Sequence, residues 1–335
     1  MSILDHSIRA RSTLGTKNQS QETFHVGMAG TANYIPYLGI AIMSLKQANP
    51  DINFVFHLFV SNLPEVEKEN LAAAADQIKC EVRLYVVNDD ALKSFVNGMY
   101  TASFWYRFIM PDILYGQVER LLYLDGDIMC CGSIDQLRKI SIENTLAAVV
   151  SDRDEERQKR QMQVQRFFNS GMMLINVEQW VKAKMLDQII CFSQNSLSMV
   201  DKHGRCKAWG NARYCDQNIL NKVLDGKTVW LPKKYNYIYK LNRSALFRKP
   251  AYNDNYKEQV LLHFAGAVKP WHSWVQHWPV VQAYRTIWKN SPWNSMQPVS
   301  PRSTKALHAA AREYRVIGEY KKSLHFYLRY FLKKW

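Results

Sequence analysis

The run Leu121, Leu122, Tyr123, Leu124 leaves the chain few options. Consecutive bulky apolar residues without helical spacing read as a buried strand, and this one leads directly into Asp125, Gly126 and Asp127. In an extended backbone residues i and i+2 point the same way, so the two carboxylates can converge on one cation. Gly126 between them lets a phosphate or sugar approach the main chain. Hard oxygen ligands at a strand end suit Mg2+ or Mn2+, and such ions suit a diphosphate. An isolated Asp-x-Asp is also an ordinary acidic turn leaving a strand, so the flanking sequence has to decide.

The flanks alternate strand and helix. Residues 24–28 read as a strand, Ala29, Gly30, Thr31, Ala32, Asn33 and Tyr34 as a small-residue turn, and 36–47 as a helix. Strand, short loop and helix N-terminus together can cradle an anion or nucleotide, because unpaired amides there attract phosphate; the loop is not G-x-G-x-x-G, and alone it reads as an ordinary strand-to-helix turn. A strand at 53–61, an amphipathic helix at 64–78 and a strand at 81–87 continue the alternation, the signature of a parallel sheet wrapped by helices. Residues 1–23 are polar and without periodicity, which predicts a poorly ordered arm.

Further polar residues fall at corresponding places. Arg107 stands among Phe104, Tyr106, Phe108 and Ile109 in a predicted helix at 103–114, where a guanidinium needs an acidic partner or a phosphate. A strand at 145–150 ends at Ser151 and Asp152, and the charge-dense run 152–166 reads as a surface loop or helix. Asn169, Ser170 and Gly171 read as a turn before a strand at 172–176, with polar groups able to bind sugar hydroxyls. Asp216 is the expected N-cap of a helix running through Leu224, and Gln217 follows it. A last strand at 260–264 carries His263, with Gly266 and Lys269 beyond it. A neutral imidazole can coordinate a metal and an ammonium can hold a phosphate, although a lone strand-end histidine is commonly just packed.

At 335 residues the chain can bury a sizeable core, and its net charge of +15 attracts anions: nucleic acid, phosphorylated glycans or an acidic membrane. The six cysteines form no C-x-x-C pair and read as reduced thiols. No apolar run reaches membrane-spanning length and the first residues lack the apolar stretch of a signal peptide, so the expected location is the cytosol or its membrane. From residue 294 the character changes. Pro298, Pro301 and neighbouring serines form a linker, and 305–335 reads as a helix with Arg312, Arg315, Lys321, Lys322, Arg329, Lys333 and Lys334 among Leu324, Phe326, Leu328, Phe331 and Trp335. Cationic residues interleaved with bulky apolar ones fit anionic lipid better than nucleic acid, so no nucleic-acid partner is expected.

Taken together, LLYLDGD (121–127), FNSGMMLIN (168–176), CDQNIL (215–220) and HFAGAVKPWH (263–272), in that order, resemble the retaining glycosyltransferases of family 8. The closest resemblance is to the bacterial enzymes that add hexoses to the lipopolysaccharide outer core, with Tyr106 and Arg107 as a weaker match. It covers roughly residues 24–293. The resemblance implies an α/β GT-A fold, a Rossmann-like mixed sheet flanked by helices, set between the arm 1–23 and a basic amphipathic tail at 294–335. It implies a UDP-sugar donor, UDP-galactose slightly ahead of UDP-glucose, with Mn2+ or Mg2+ held by Asp125, Asp127 and His263. Gly266 and Lys269 would contact the diphosphate, and Ala29 through Tyr34 the nucleoside. Arg107, Asp152, Asn169, Asp216 and Gln217 would surround the donor sugar. The acceptor would be the lipopolysaccharide core oligosaccharide, reached from the cytoplasmic face of the inner membrane. Thr31 departs from the pattern, since close relatives commonly have aspartate there. An Asp-nucleophile phosphohydrolase also places Asp-x-Asp after an apolar strand, but usually follows it with a hydroxyl residue where Met129 stands, and gives His263 no role.

Overall fold

The computed structural model describes residues 3–16, 22–92, 102–210, 212–213, 215–241 and 254–334. The strands in chain order are β1 (Ile8–Leu14), β2 (Thr23–Gly30), β3 (Asn53–Val60), β4 (Glu81–Val87), β5 (Arg120–Leu124), β6 (Ile128–Cys130), β7 (Ala147–Ser151) and β8 (Phe168–Asn176). They continue with β9 (Arg205–Cys206), β10 (Ala212–Arg213), β11 (Thr228–Leu231), β12 (Tyr237–Ile238) and β13 (Leu261–His263). Every residue of β3 is buried, as a central strand covered on both faces requires.

Among the described residues the main sheet has the order β1-β4-β3-β2-β5-β8-β7-β11. Its centre, β4-β3-β2-β5, is parallel; β1 and β8 run antiparallel to their neighbours, so the sheet is mixed. Side chains of β5 divide by the two-residue period of a strand. Leu122 and Leu124 enter one core with helix Ile35–Ala48, while Leu121 and Tyr123 enter the other with helix Tyr106–Leu114 and Trp180. A smaller sheet, β12-β13-β6, stands beside the end of β5 and decides where the functional residues meet.

The mixed sheet and flanking helices agree with the sequence reading, and several local expectations need correction. The segment 1–23 is not a structureless arm in its described part: β1 pairs antiparallel with β4, with Ser12 opposite Leu84. Its main-chain hydrogen bonds complete the sheet edge while Arg9 and Arg11 face outward. Residues 17–21 lie outside the described residues. Asn169, Ser170 and Gly171 do not form a turn; they belong to β8, where the pairing with β7 shifts register between Val149 and Val150.

The tail is two helices, Thr304–Val316 and Tyr320–Lys334, rather than one, because Gly318 adopts φ +80° and reverses the chain. The first is docked on the body of the protein, with Leu307, Ala310 and Ala311 buried and Glu313 Oε1 accepting from Trp278 Nε1 at 2.8 Å. The second packs on the first, Ser323 Oγ donating to Ala311 O at 2.8 Å. Its Tyr320, Leu324, Leu328, Phe331 and Leu332 are exposed; Trp335 lies outside the described residues. Among the described residues no helix is long and apolar enough to cross a membrane.

Candidate active site

The antiparallel pairing of β6 with β13 places Ile128 opposite His263, and Phe264 N donates to Asp127 O at 3.0 Å. That register brings an imidazole beside a carboxylate 136 positions away in sequence. Asp125 is fixed from the other side, its N–H donating to Gly171 O at 2.8 Å. One ligand atom from each of Asp125, Asp127 and His263 lies within 4.8 Å of the others. His263 Nε2 stands 3.2 Å from Asp127 Oδ1 and 3.8 Å from Asp125 Oδ2.

Gly171 makes room for this convergence. A Cβ there would lie 2.3 Å from His263 Cε1 and 2.9 Å from Asp125 Oδ2. The missing side chain of Gly126 also serves packing. Its Cβ would fall 2.5 Å from Leu38 Cδ2, so the glycine lets the turn settle on helix Ile35–Ala48.

Buried charge in the site is compensated pair by pair. Arg107, 6% exposed, gives Nη2 to Asp125 Oδ1 at 2.9 Å and Nη1 to Asp216 Oδ2 at 3.0 Å. It also donates to Ser170 O and Oγ and lies over the Tyr123 ring, whose hydroxyl donates to Asp125 Oδ1 at 2.8 Å. Burial opposes the charge of Arg107, but Asp125 and Asp216 outweigh it and hold the guanidinium more firmly protonated than usual. Lys269 Nζ pairs with Asp127 Oδ2 and donates to Phe264 O at 3.0 Å. Burial opposes ionisation of Asp127 as well, and His263 with Lys269 overcomes it, holding this carboxyl well below the usual range. Gly266 adopts φ +124°, a backbone conformation suited to glycine, and among the described residues nothing lies within 4 Å of its Cβ position.

A second cluster adjoins the first. Asn169 Nδ2 donates to Gln217 Oε1 at 3.0 Å and to Asp152 Oδ2 at 3.4 Å, and Gln217 Nε2 donates to the same Asp152 oxygen at 3.3 Å. Asp216 is not an N-cap: Cys215 holds that position, and the Asp216 carboxylate turns to Arg107. The buried guanidinium, already paired with Asp125 through Nη2, draws this second carboxylate to Nη1. Ala29 and Gly30 are the last two residues of strand β2 rather than part of a loop; Ala32–Tyr34 form a 3-10 turn after Thr31, leading into helix Ile35–Ala48. Asn33 is exposed and Tyr34 half-buried, and burial with the nearby Asp127 and Asp125 raises the Tyr34 phenol above its usual range.

Sequence reasoning passed over Tyr123 and Asn236 as members of the site. Tyr123 lies inside a quoted motif. Asn236 lies in none, and no local pattern marks it.

Two carboxylates at the turn after β5 and the imidazole that ends β13, beside a lysine, form a donor set suited to Mg2+ or Mn2+. Residues 25–275 match the pattern of glycosyl transferase family 8, and 278–334 that of the glycosyl transferase family 8 C-terminal region. The chain is 28% identical over 308 residues to a lipopolysaccharide 1,2-glucosyltransferase of Escherichia coli, spanning 88% of this chain and 86% of that one. It is 28% identical over 327 residues to a lipopolysaccharide 1,3-galactosyltransferase of Salmonella typhimurium, spanning 95% and 93%. The fold is shared with the galactosyltransferase LgtC, solved with donor and acceptor sugar analogs, at TM-score 0.65 and 20% identity over 80% of this chain and 96% of that one. With the family pattern spanning most of its length and the GT-A architecture in place, the chain belongs to glycosyl transferase family 8.

Proposed function

We propose that this protein transfers a hexose, galactose or glucose, from a UDP-sugar to a sugar of the lipopolysaccharide outer core, retaining the anomeric configuration. The observation that carries the reading is the convergence of Asp125, Asp127 and His263 beside Lys269. In this reading those three residues hold Mn2+ or Mg2+, Gly266 and Lys269 meet the diphosphate, and Ala29, Thr31, Asn33 and Tyr34 border the nucleoside. Arg107, Asp152, Asn169, Asp216 and Gln217 line the donor-sugar pocket. The bound cation would offset the negative charge of the leaving diphosphate.

The residues around the sugar argue against a covalent intermediate. Gln217 Oε1 accepts from Asn169 Nδ2 and, at 3.3 Å, from Ser170 N–H, so its lone pairs are engaged and an amide oxygen is weakly nucleophilic to begin with. Asp216 would have to leave its ion pair with Arg107. Front-face attack, with the departing phosphate oxygen accepting the proton of the acceptor hydroxyl, needs neither. Lys269 then stabilises charge as it develops on the phosphate.

For the tail, the exposed stripe Tyr320, Leu324, Leu328 and Phe331 shares one face of the last helix, beside Lys321, Arg329, Lys333 and Lys334. This face suits an anionic membrane and would hold the enzyme on the cytoplasmic side of the inner membrane, where its lipid-linked acceptor lies.

The test is a screen of UDP-sugars with truncated core lipopolysaccharides as acceptors, with and without Mn2+, followed by linkage analysis. Transfer from UDP-galactose or UDP-glucose that disappears in Asp125→Asn is expected. Phosphatase activity lost in the same variant, with no sugar transferred, would replace this reading by a phosphohydrolase.

A further inference from the structure

Asn236 is 2% exposed, and both ends of its amide are committed. Its Oδ1 faces His263 Nδ1 at 3.0 Å, while its Nδ2 donates to Asn169 O at 3.2 Å and to Asn169 Oδ1 at 2.9 Å. Reversing the amide would set its oxygen against two acceptors, so the orientation follows from the network. Asn169 Oδ1 has a further donor, Gly171 N–H at 3.1 Å, which fixes it as an acceptor in turn.

Two consequences follow from that orientation. With an acceptor at Nδ1, His263 keeps a proton on that nitrogen, and Nε2 is the nitrogen presented to Asp125 and Asp127. The same amide also holds Asn169, whose Nδ2 reaches Gln217 and Asp152 on the donor-sugar side. The backbone reinforces the link: β12 pairs with β13, Ile238 opposite His263, and Tyr239 N donates to His263 O at 2.8 Å.

We propose that Asn236 is a positioning residue that couples the cation site to the donor-sugar pocket, aiming His263 with its oxygen and Asn169 with its nitrogen. The proposal rests on the metal reading above. Outer-shell partners of metal-bound histidines typically contribute about 10–100-fold in affinity or activity.

Asn236→Leu removes both contacts at similar volume; Asn236→Asp keeps an acceptor for His263 but sets a carboxylate oxygen against the two Asn169 oxygens. Mn2+ affinity of the full-length protein, read without nucleotide by the electron paramagnetic resonance of free Mn2+, is expected to fall about 10–100-fold in Asn236→Leu. In Asn236→Asp it should stay within about threefold of the parent, since a carboxylate is a common partner for a metal-bound histidine. Turnover should fall in both variants. A purely structural residue would show both properties declining together with the thermal midpoint in both variants. Parental Mn2+ affinity in Asn236→Leu, or equal loss of affinity in the two variants, would overturn the proposal. A parent that binds no Mn2+ would overturn the metal reading itself, and this inference with it.

Discussion

Replacing Gly171 by alanine tests whether the site is built to a tolerance. The added Cβ would sit 2.3 Å from His263 Cε1 and 2.7 Å from Nδ1, whereas ordinary contact begins at 3.4 Å. The ring therefore has to retreat by about 1 Å, and ligand distances in a working metal site hold to within about 0.2 Å. Retreat is resisted because the imidazole is buried and Nδ1 is held at 3.0 Å from Asn236 Oδ1. Overpacking of this size costs about 1–3 kcal/mol, which leaves a domain of this length folded. A 1 Å misplacement at a catalytic centre costs on the order of 100-fold in rate. Gly171→Ala is accordingly expected to keep a cooperative thermal transition while losing roughly 100-fold in Mn2+-dependent turnover of the donor, with Mn2+ affinity down at least about tenfold. Gly132→Ala is the control: its nearest neighbour would be at 3.5 Å, and parental behaviour is expected. A Gly171→Ala protein with parental Mn2+ affinity and turnover would refute the claim that these side chains share one ligand position.

Arg107→Leu leaves Asp125 and Asp216 without their buried partner, so a loss of about 3–5 kcal/mol in chemical denaturation is expected, and a loss below 1 kcal/mol would contradict the pairing. His25 is pushed down from 6.5 to about 4, first by burial and then by Arg83, with Glu81 opposing. A histidine whose folded value is depressed contributes stability that is full above the unfolded value and is lost as pH falls towards the folded one. Roughly 3 kcal/mol should therefore disappear between pH 6.5 and 4, and thermal midpoints of His25→Gln should depend less steeply on pH across that window. Leu324→Asp combined with Leu328→Asp should reduce binding to anionic vesicles by more than about tenfold, given roughly 1.5–3 kcal/mol for each buried leucine, without altering hydrolysis of soluble donor. Incubation with donor alone should leave no glycosyl adduct on Gln217 or Asp216 in intact-protein mass spectra; an adduct on either would overturn front-face attack.

The parts of the fold legible in sequence were those whose pattern is contiguous. The strand read at 81–87 appears with the same bounds, and the helix read at 64–78 begins one residue later. β1 escaped notice because an edge strand with one face in solvent and two arginines on it carries little apolar periodicity. Asn169-Ser170-Gly171 misled in the opposite direction. Turn-forming residues were placed in a strand because a β-bulge and a close approach by His263 demand them, not because the chain reverses there.

The candidate site shows the same division between local and nonlocal information. Asp125 and Asp127 could be paired on spacing, although not for the expected reason: the segment is not extended but a turn closed by Ile128 N–H donating to Asp125 O at 3.2 Å, and both carboxylates still reach His263 from it. Arg107 could be flagged because a guanidinium among aromatics must find an anion, but residue types could not choose between a salt bridge and a ligand; the structure supplies two carboxylates. The meeting of Asp127 with His263 depends on the register of β6 against β13, a pairing of very short strands with no distinctive alternation. Asn236 is harder still, since its importance lies entirely in which polar atoms it reaches once buried: His263 on one side and Asn169 on the other. A residue whose whole contribution is to satisfy other buried groups leaves no trace in its own neighbourhood of the sequence, and such residues are found by accounting for every buried polar atom.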